Sequence, residues 1–238
     1  METNKIYCMD CLEGMKQIPD GSVDLIVTSP PYNFGGFSRD GKQSSYDCYD
    51  DNMTDEEYQE WTECYFKELY RVLKPTGMFY FNIKYRFQDY RCKIPFWIVE
   101  KSPFKLLNMI IWKFASSPDV AKIKWYPRHE YVFVFIKSND YYFNEDYAKY
   151  GDVWEIPQVM ANSKERTNHP AQYPLKLIRR IIESSSKSEQ LVLDPFMGSG
   201  TTAVASKQLN RKFIGFELSK EYCDIANKRL AQKTIFEL

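Results

Sequence analysis

The chain has 238 residues, enough to bury one sizeable core, and a single α/β domain over 1–238 is the expected organisation. Its 32 basic residues balance 32 acidic ones, which excludes a general coat of positive charge while leaving room for a local nucleic-acid face. No apolar run is long enough to span a bilayer, Met1–Lys5 lacks the hydrophobic stretch of a secretory signal, and the six cysteines show no disulfide-like spacing. A reduced, cytoplasmic protein without a membrane segment is therefore expected.

In chain order, short apolar runs alternate with helical patterns, the signature of a mostly parallel sheet with helices on both faces. Strands are predicted at Ile6–Cys8, Val23–Val27, Met78–Phe81, Leu106–Trp112, Tyr131–Phe135, Leu191–Leu193 and Phe213–Phe216. The clearest helix starts at Thr54, where Thr-x-x-Glu57 forms a capping box, and Lys74-Pro75-Thr76-Gly77 should end it. A second helix is predicted from Pro174, with Leu175, Ile178, Ile181 and Ile182 turned inward, and a third from the cap residue Ser219. Two segments, 33–52 and 138–168, show no clear regular pattern, and long loops in a compact domain are usually functional or disordered.

Two motifs carry chemistry. The first runs from Asp194 through Pro195, Phe196, Gly198, Ser199 and Gly200 to Thr201: a strand end, a glycine turn and a helix start. Glycines let the backbone approach a ligand closely, and the helix N-terminus offers unpaired N–H groups. Glu217 ends the following strand, where nucleotide-binding α/β domains place an acid for ribose hydroxyls. The pattern fits a nucleoside cofactor at the carboxyl edge of the sheet.

The second motif is Ser29-Pro30-Pro31-Tyr32, directly after the strand ending at Val27-Thr28. Two prolines fix φ and remove two donors, leaving a stiff loop with free carbonyls, a hydroxyl and a flat ring. Such a set suits a flipped-out base whose exocyclic amine must be held, its two hydrogens bonded at the Ser29 side chain and the Pro30 carbonyl. Standing alone, the same residues would be an ordinary Pro-Pro turn with a surface tyrosine.

Together, and in this order, the motifs resemble the cytosine-N4 and adenine-N6 DNA amino-methyltransferases, in the permuted group whose catalytic loop precedes the cofactor loop. The resemblance extends along most of the chain. Ile6 to Leu12 is similar to the segment whose acid contacts the cofactor adenine, which implicates Asp10 and the adjoining Cys11. Arg71–Gly77 and Arg128–Phe135 resemble scaffold motifs, and Asn168–Pro174, containing His169, resembles the segment closing over the methionine end of S-adenosylmethionine. The resemblance implies a Rossmann-like methyltransferase fold, S-adenosylmethionine as cofactor and double-stranded DNA as substrate. It also admits a homodimer and a cognate restriction endonuclease. Ser29 inclines the reading to cytosine N4, because adenine-directed members usually carry Asp or Asn there; Asn33 after the tyrosine pulls toward adenine N6.

Other features are open to two readings. Lys84–Lys93 interleaves four cations with three aromatics, and Lys122, Lys124, Trp125 and Arg128 form a smaller patch; each is a DNA contact or a solvated loop. Cys8-x-x-Cys11 lacks the second Cys or His pair of a zinc site, so no metal is expected. The resemblance points to 138–168 as the target-reading element, although that interval is short for a domain. Competing readings are a protein- or RNA-directed amino-methyltransferase and a catalytically silent DNA-binding regulator.

Overall fold

A computed structural model describes residues 1–33, 52–88, 90–115, 123–160, 162–163, 165–169 and 171–232. Its centre is an eight-stranded sheet built from β1 (Lys5–Cys8), β2 (Val23–Thr28), β3 (Leu73–Ile83), β6 (Lys105–Lys113), β7 (His129–Ile136), β8 (Val153–Glu155), β9 (Leu191–Asp194) and β10 (Lys212–Glu217). The spatial order is β1-β10-β9-β2-β3-β7-β6-β8. From β1 to β3 all neighbours are parallel, β7 runs antiparallel to both β3 and β6, and β8 is parallel to β6. A separate hairpin, β4 (Arg86–Gln88) with β5 (Arg91–Lys93), follows β3. All seven strands expected from the sequence are present, and the sheet is mostly parallel as expected.

Every residue of β2 is buried, as a continuous apolar strand sandwiched between helical layers should be. On one face lie α1 (Cys11–Met15), α2 (Asp55–Val72) and α3 (Trp97–Lys101), whose Met15, Tyr65, Phe66, Leu69 and Ile98 join Ile26, Phe79, Phe81, Phe133 and Phe135. On the other, α4 (Leu175–Ser185) and α5 (Thr201–Gln208) cover Leu25, Val27, Met78, Tyr80 and Val134. The last helix, α6 (Lys220–Ala231), packs beside β1 and β10. In α4 the buried stripe is Leu177, Ile178, Ile181 and Ile182, so Leu175, expected inside, lies only at its margin.

The capping box at Thr54 forms as expected: the Thr54 hydroxyl accepts from Glu57 N–H, and the Glu57 carboxylate accepts from Thr54 N–H at 2.8 Å. Lys74–Gly77, however, is not a connector. These residues already belong to β3, because Leu73 pairs with Val23 as the helix ends. The segment 138–168 is also more regular than its sequence suggests, holding a 3₁₀ helix at Glu145–Tyr150 and the strand β8. Its first half packs on the far edge of the sheet: Ser138 Oγ donates to Pro75 O, Tyr142 N to Thr76 O, and Asn144 N to Ser184 O. That edge is opposite the carboxyl ends of β2 and β9.

Phe66 anchors the first layer, with its ring edge-on to Phe79 at 5.3 Å and to Phe81 at 5.1 Å. Phe66→Ala should cost about 3–5 kcal/mol through lost burial and the cavity left behind. Urea unfolding should show this as a lower midpoint with an unchanged slope.

Candidate active site

The sheet order reverses between β9 and β2: from β9 the sheet continues outward to β10, and from β2 it continues the other way to β3. A crevice opens at the carboxyl ends of such a pair, where open α/β sheets bind ligands. The two motifs, 165 residues apart at Ser29 and Asp194, follow these neighbouring strands and so meet there.

Their junction is the Asp194 carboxylate. Oδ1 accepts from the Thr28 hydroxyl at 2.8 Å and from Phe196 N–H at 3.1 Å, while Oδ2 accepts from the Thr202 hydroxyl at 2.6 Å. Asp194 is only 1% exposed, and burial pushes its carboxyl up to about 7 against the pull of these donors. The side chain braces the end of β2 to the glycine turn and α5, and Oδ2, with one donor, retains acceptor capacity.

The turn itself is built for close approach. Gly198 and Gly200 have φ of +52° and +83°, in the left-handed region. A Cβ on Gly198 would sit 2.9 Å from His169 Nε2, and one on Gly200 would sit 2.7 Å from Ala226 Cβ. Pro195 and Ser199 are buried, and the half-buried Phe196 ring packs against Trp61 and Tyr65. Arg229 on α6 clamps the loop, donating to Ser199 O at 2.6 Å and to Thr201 Oγ1 at 3.1 Å.

Glu217 stands beside this turn. Its Oε2 accepts from Gly198 N–H and its Oε1 from Ser219 N–H, both at 2.8 Å. Each oxygen retains acceptor capacity for a hydroxyl, and burial raises the carboxyl above its ordinary range. The β1 end joins the same edge, since Met9 N donates to Glu217 O. Next to it, Asp10 caps α1 by accepting from Leu12 and Glu13 N–H, while Cys11 is buried in the core with its thiol pushed up to about 12. Cys8 is exposed, and its Sγ is directed at Leu218 O, away from Cys11.

His169 is buried and depressed to about 4, mainly by desolvation, so it is neutral at physiological pH. Its Nδ1 accepts from Ala171 N–H at 3.2 Å, which leaves the proton on Nε2, the atom nearest Gly198. It therefore shapes the loop and is no proton carrier.

On the β2 side, Ser29 Oγ and Tyr32 Oη are 2.7 Å apart. Tyr32 Oη also donates toward Asn82 Oδ1 at 3.1 Å and Glu130 Oε2 at 3.2 Å. The Asn82 amide is oriented by Nδ2 donating to Tyr131 O, so its Oδ1 can only accept. Tyr32 thus sends its single proton toward Asn82 and Glu130, and Ser29 donates to Tyr32. The consequence is chemical: the Ser29 hydroxyl proton is committed and its remaining lone pair can accept from a ligand. Tyr58 Oη holds the loop from α2 by donating to Pro31 O at 2.8 Å, and Pro30 is buried. Asn33 clamps the ends of the 33–52 segment through two 2.8 Å bonds with Met53; residues 34–51 lie outside the described residues.

Asn82, Glu130 and Arg229 were not identified as site residues from sequence. Glu130 sat inside a recognised scaffold segment, and a lone buried-strand acid was the one available signal.

With this geometry in view, likeness to known proteins is informative. The model for DNA methylases of the N6/N4 type matches residues 23–228. The chain belongs to the N4/N6 DNA methylase family. This methylase is 35% identical to Type II methyltransferase M.BglII of Bacillus subtilis, across 96% of this chain and 69% of that protein. It is 31% identical to DNA adenine methyltransferase YhdJ of Escherichia coli K12, across 96% and 83%. Among solved structures, the cytosine-N4-specific PvuII DNA methyltransferase aligns with a TM-score of 0.79 at 23% identity, covering 97% of this chain and 87% of that one, a likeness of fold. The M1.HpyAVI–SAM complex aligns at 0.69 and 28% identity, covering 96% and 99%.

The raised Asp194 carboxyl has a definite sign. Protonation is favoured in the folded state between the ordinary carboxylate value and about pH 7, so this group's stabilising contribution falls as pH rises through that window. Asp194→Asn should flatten the decline of the urea midpoint between pH 5 and 7 relative to the wild type. An equal decline in both proteins would contradict the burial assigned to this group.

Proposed function

We propose that this protein transfers a methyl group from S-adenosylmethionine to the exocyclic amine of a base flipped out of double-stranded DNA, with cytosine N4 as the favoured acceptor. Membership of the amino-directed DNA methylases makes it a DNA methyltransferase, and S-adenosylmethionine is the cofactor. What supports the finer reading is the hydrogen-bond chain in which Tyr32 Oη faces the Asn82 and Glu130 oxygens and lies 2.7 Å from Ser29 Oγ.

The residues present fit the cofactor. Gly198 and Gly200 let the turn pack closely on His169 and Ala226 in a left-handed backbone, and Glu217, which takes Gly198 N–H, offers further acceptors at the adjoining strand end. Glu217 would take the ribose hydroxyls, the edge at Asp10 would take the adenine, and the backbone of Pro195–Thr201, with His169 behind it, would cradle the methionine part. Bound S-adenosylmethionine supplies an electrophilic methyl group.

The chain's own contribution is to hold and polarise the amine. An aromatic amine is a poor nucleophile because its lone pair is delocalised. Accepting its hydrogens at Ser29 Oγ and the Pro30 carbonyl localises that pair, and the stiff Pro30-Pro31 backbone sets both acceptors before the base arrives. Tyr32 adds a stacking face. The amine sheds a proton when its fourth bond forms. Ser29 Oγ is the first acceptor, Tyr32 Oη passes its own proton onward, and the Glu130 carboxylate is the terminus. Burial raises the Glu130 carboxyl while the nearby Lys84 charge opposes it.

Ser29 favours cytosine as the acceptor. The Asn33 side chain clamps Met53 through one donated and one accepted bond. Adenine N6 is the second reading, supported by the likeness to an adenine-directed relative. The Type II names of relatives such as M.BglII and M.ScaI support a cognate restriction endonuclease as partner.

Base-resolved sequencing of DNA from cells expressing the protein should reveal N4-methylcytosine at one short sequence. N6-methyladenine would establish the second reading, and no modified base alongside tight DNA binding would leave a silent regulator. Ser29→Ala should lower methyl transfer roughly 10²–10³-fold with little change in cofactor affinity. Glu130→Gln, which keeps an acceptor for Tyr32, should lower kcat and remove the acid limb of the pH–rate profile. In the wild type that limb falls as pH drops through the raised Glu130 value, because only the carboxylate accepts the proton.

A further inference from the structure

A second feature surrounds the mouth of the Tyr32 loop, and the chemistry above does not use it. The β4–β5 hairpin and residues 123–128, which lead into β7, stand together: Lys124 Nζ lies 5.2 Å over the Phe87 ring, and Tyr85 lies 5.8 Å from His129. Both are tied to the active site. Arg86 donates to Asn33 O at 2.7 Å, and Trp125 stands five positions before Glu130, which holds Tyr32. Five extended residues span at most roughly 17 Å, so Trp125 stands within reach of the base pocket.

This surface departs from the rest of the chain in two respects. Residues 84–97 and 123–129 contain six Lys and Arg against the single acid Asp89, in a protein whose charges cancel overall. Asp55 takes Arg86 and Lys93, leaving Arg91 and Arg128 among the exposed cations. The second respect is apolar exposure. Trp125 is 95% exposed, Tyr90 83% and Ile123 63%, whereas Trp112 and Trp154 are buried. Single exposed apolar residues are ordinary, but a cluster of them rimmed by cations is the mark of an interaction site. Pro127 is buried directly after the exposed pair Trp125-Tyr126, and Phe114 N donates to Arg128 O at 3.0 Å, so the tip is displayed from an anchored base.

We propose that the β4–β5 hairpin and residues 123–128 form the duplex-docking surface of this methylase, and that Trp125 enters the base stack at the position vacated by the extruded base. The inference rests on the DNA reading above and goes further in assigning the contact surface and the residue that offsets the cost of base extrusion. Cations positioned along the rim meet phosphates, and an apolar ring inserted between base steps replaces the stacking the target loses. The same charge disfavours a second copy of the chain as occupant, because a two-fold contact would set like-charged patches face to face. The far-edge position of 138–150 removes that stretch from the same role.

Two duplexes bearing the methylated sequence mapped in the expressing cells test this. In one the target base is paired; in the other it faces an abasic site and is already unpaired. Trp125→Ala should lower kcat/KM on the paired duplex roughly 10- to 100-fold, the equivalent of a few kcal/mol of unstacking. On the abasic duplex it should come within about threefold of wild type, with S-adenosylmethionine binding unchanged, and Trp125→Phe should recover most of the loss. Wild-type activity on the paired duplex, or the same loss on both duplexes, would overturn the insertion role. Conversion of a wild-type dimer to a monomer by Trp125→Ala in sedimentation would overturn it by making the patch a subunit interface. Failure of the wild type to methylate either duplex would instead sink the methyltransferase reading itself, and the docking proposal with it.

Discussion

The Asp194 carboxylate ends one central strand and reaches across to the end of its neighbour. Three protein donors converge on it, one from the tip of β2, one from the turn that follows β9, and one from the first turn of α5. Removing a carboxylate from water is costly, and only a full set of hydrogen bonds makes it tolerable. In return the acceptor loop and the cofactor loop share one reference point. A direct methyl displacement would depend on that relationship, because the nucleophile must approach in line with the bond that breaks. Glu217, Arg229 and Tyr58 then set the two loops from their outer sides, so each is held by at least two elements.

Polar groups inside this site form one connected chain of hydrogen bonds. Asn82 is turned by Tyr131 O, Tyr32 is turned by Asn82 and Glu130, and Ser29 is turned by Tyr32. His169 is fixed in one tautomer by a backbone N–H. Such chains make the loop an acceptor before any substrate is present, which is preorganisation in the electrostatic sense.

Much of this was legible in the sequence because it is local. Alternation and apolar runs located seven of the eight sheet strands, Thr54 and Ser219 announced their helices, and the glycines before Thr201 announced a turn. What was illegible is long-range. Asp194 reads as a strand-end acid before a glycine turn, and its bond to Thr28, 166 positions away, appears only in the fold. Glu130 reads as one polar residue in an apolar strand, and Arg229 as one more charge on a surface helix; each acquires meaning from a partner on another element. The 138–168 segment lacked periodicity because β8 spans three residues, Val153–Glu155, too few for a pattern, and is held by pairing with β6. The basic-aromatic strips were visible from the start, but only the contact between Phe87 and Lys124 joins them into one surface.

The sheet order also constrains how the molecule is made. During synthesis β2, β3, β6 and β7 emerge within the first 136 residues and are mutual neighbours from β2 outward. The strand β1 emerges earliest, yet its neighbour β10 ends at Glu217, and β2 waits for β9 on its other side. Closing contacts across such separations carries a chain-entropy cost and slows assembly. The nascent chain therefore exposes one flank of β2 and the whole of β1 to the ribosome's surroundings until the final third arrives. The same parallel topology that brings two distant loops together makes their junction one of the last parts of the fold to form.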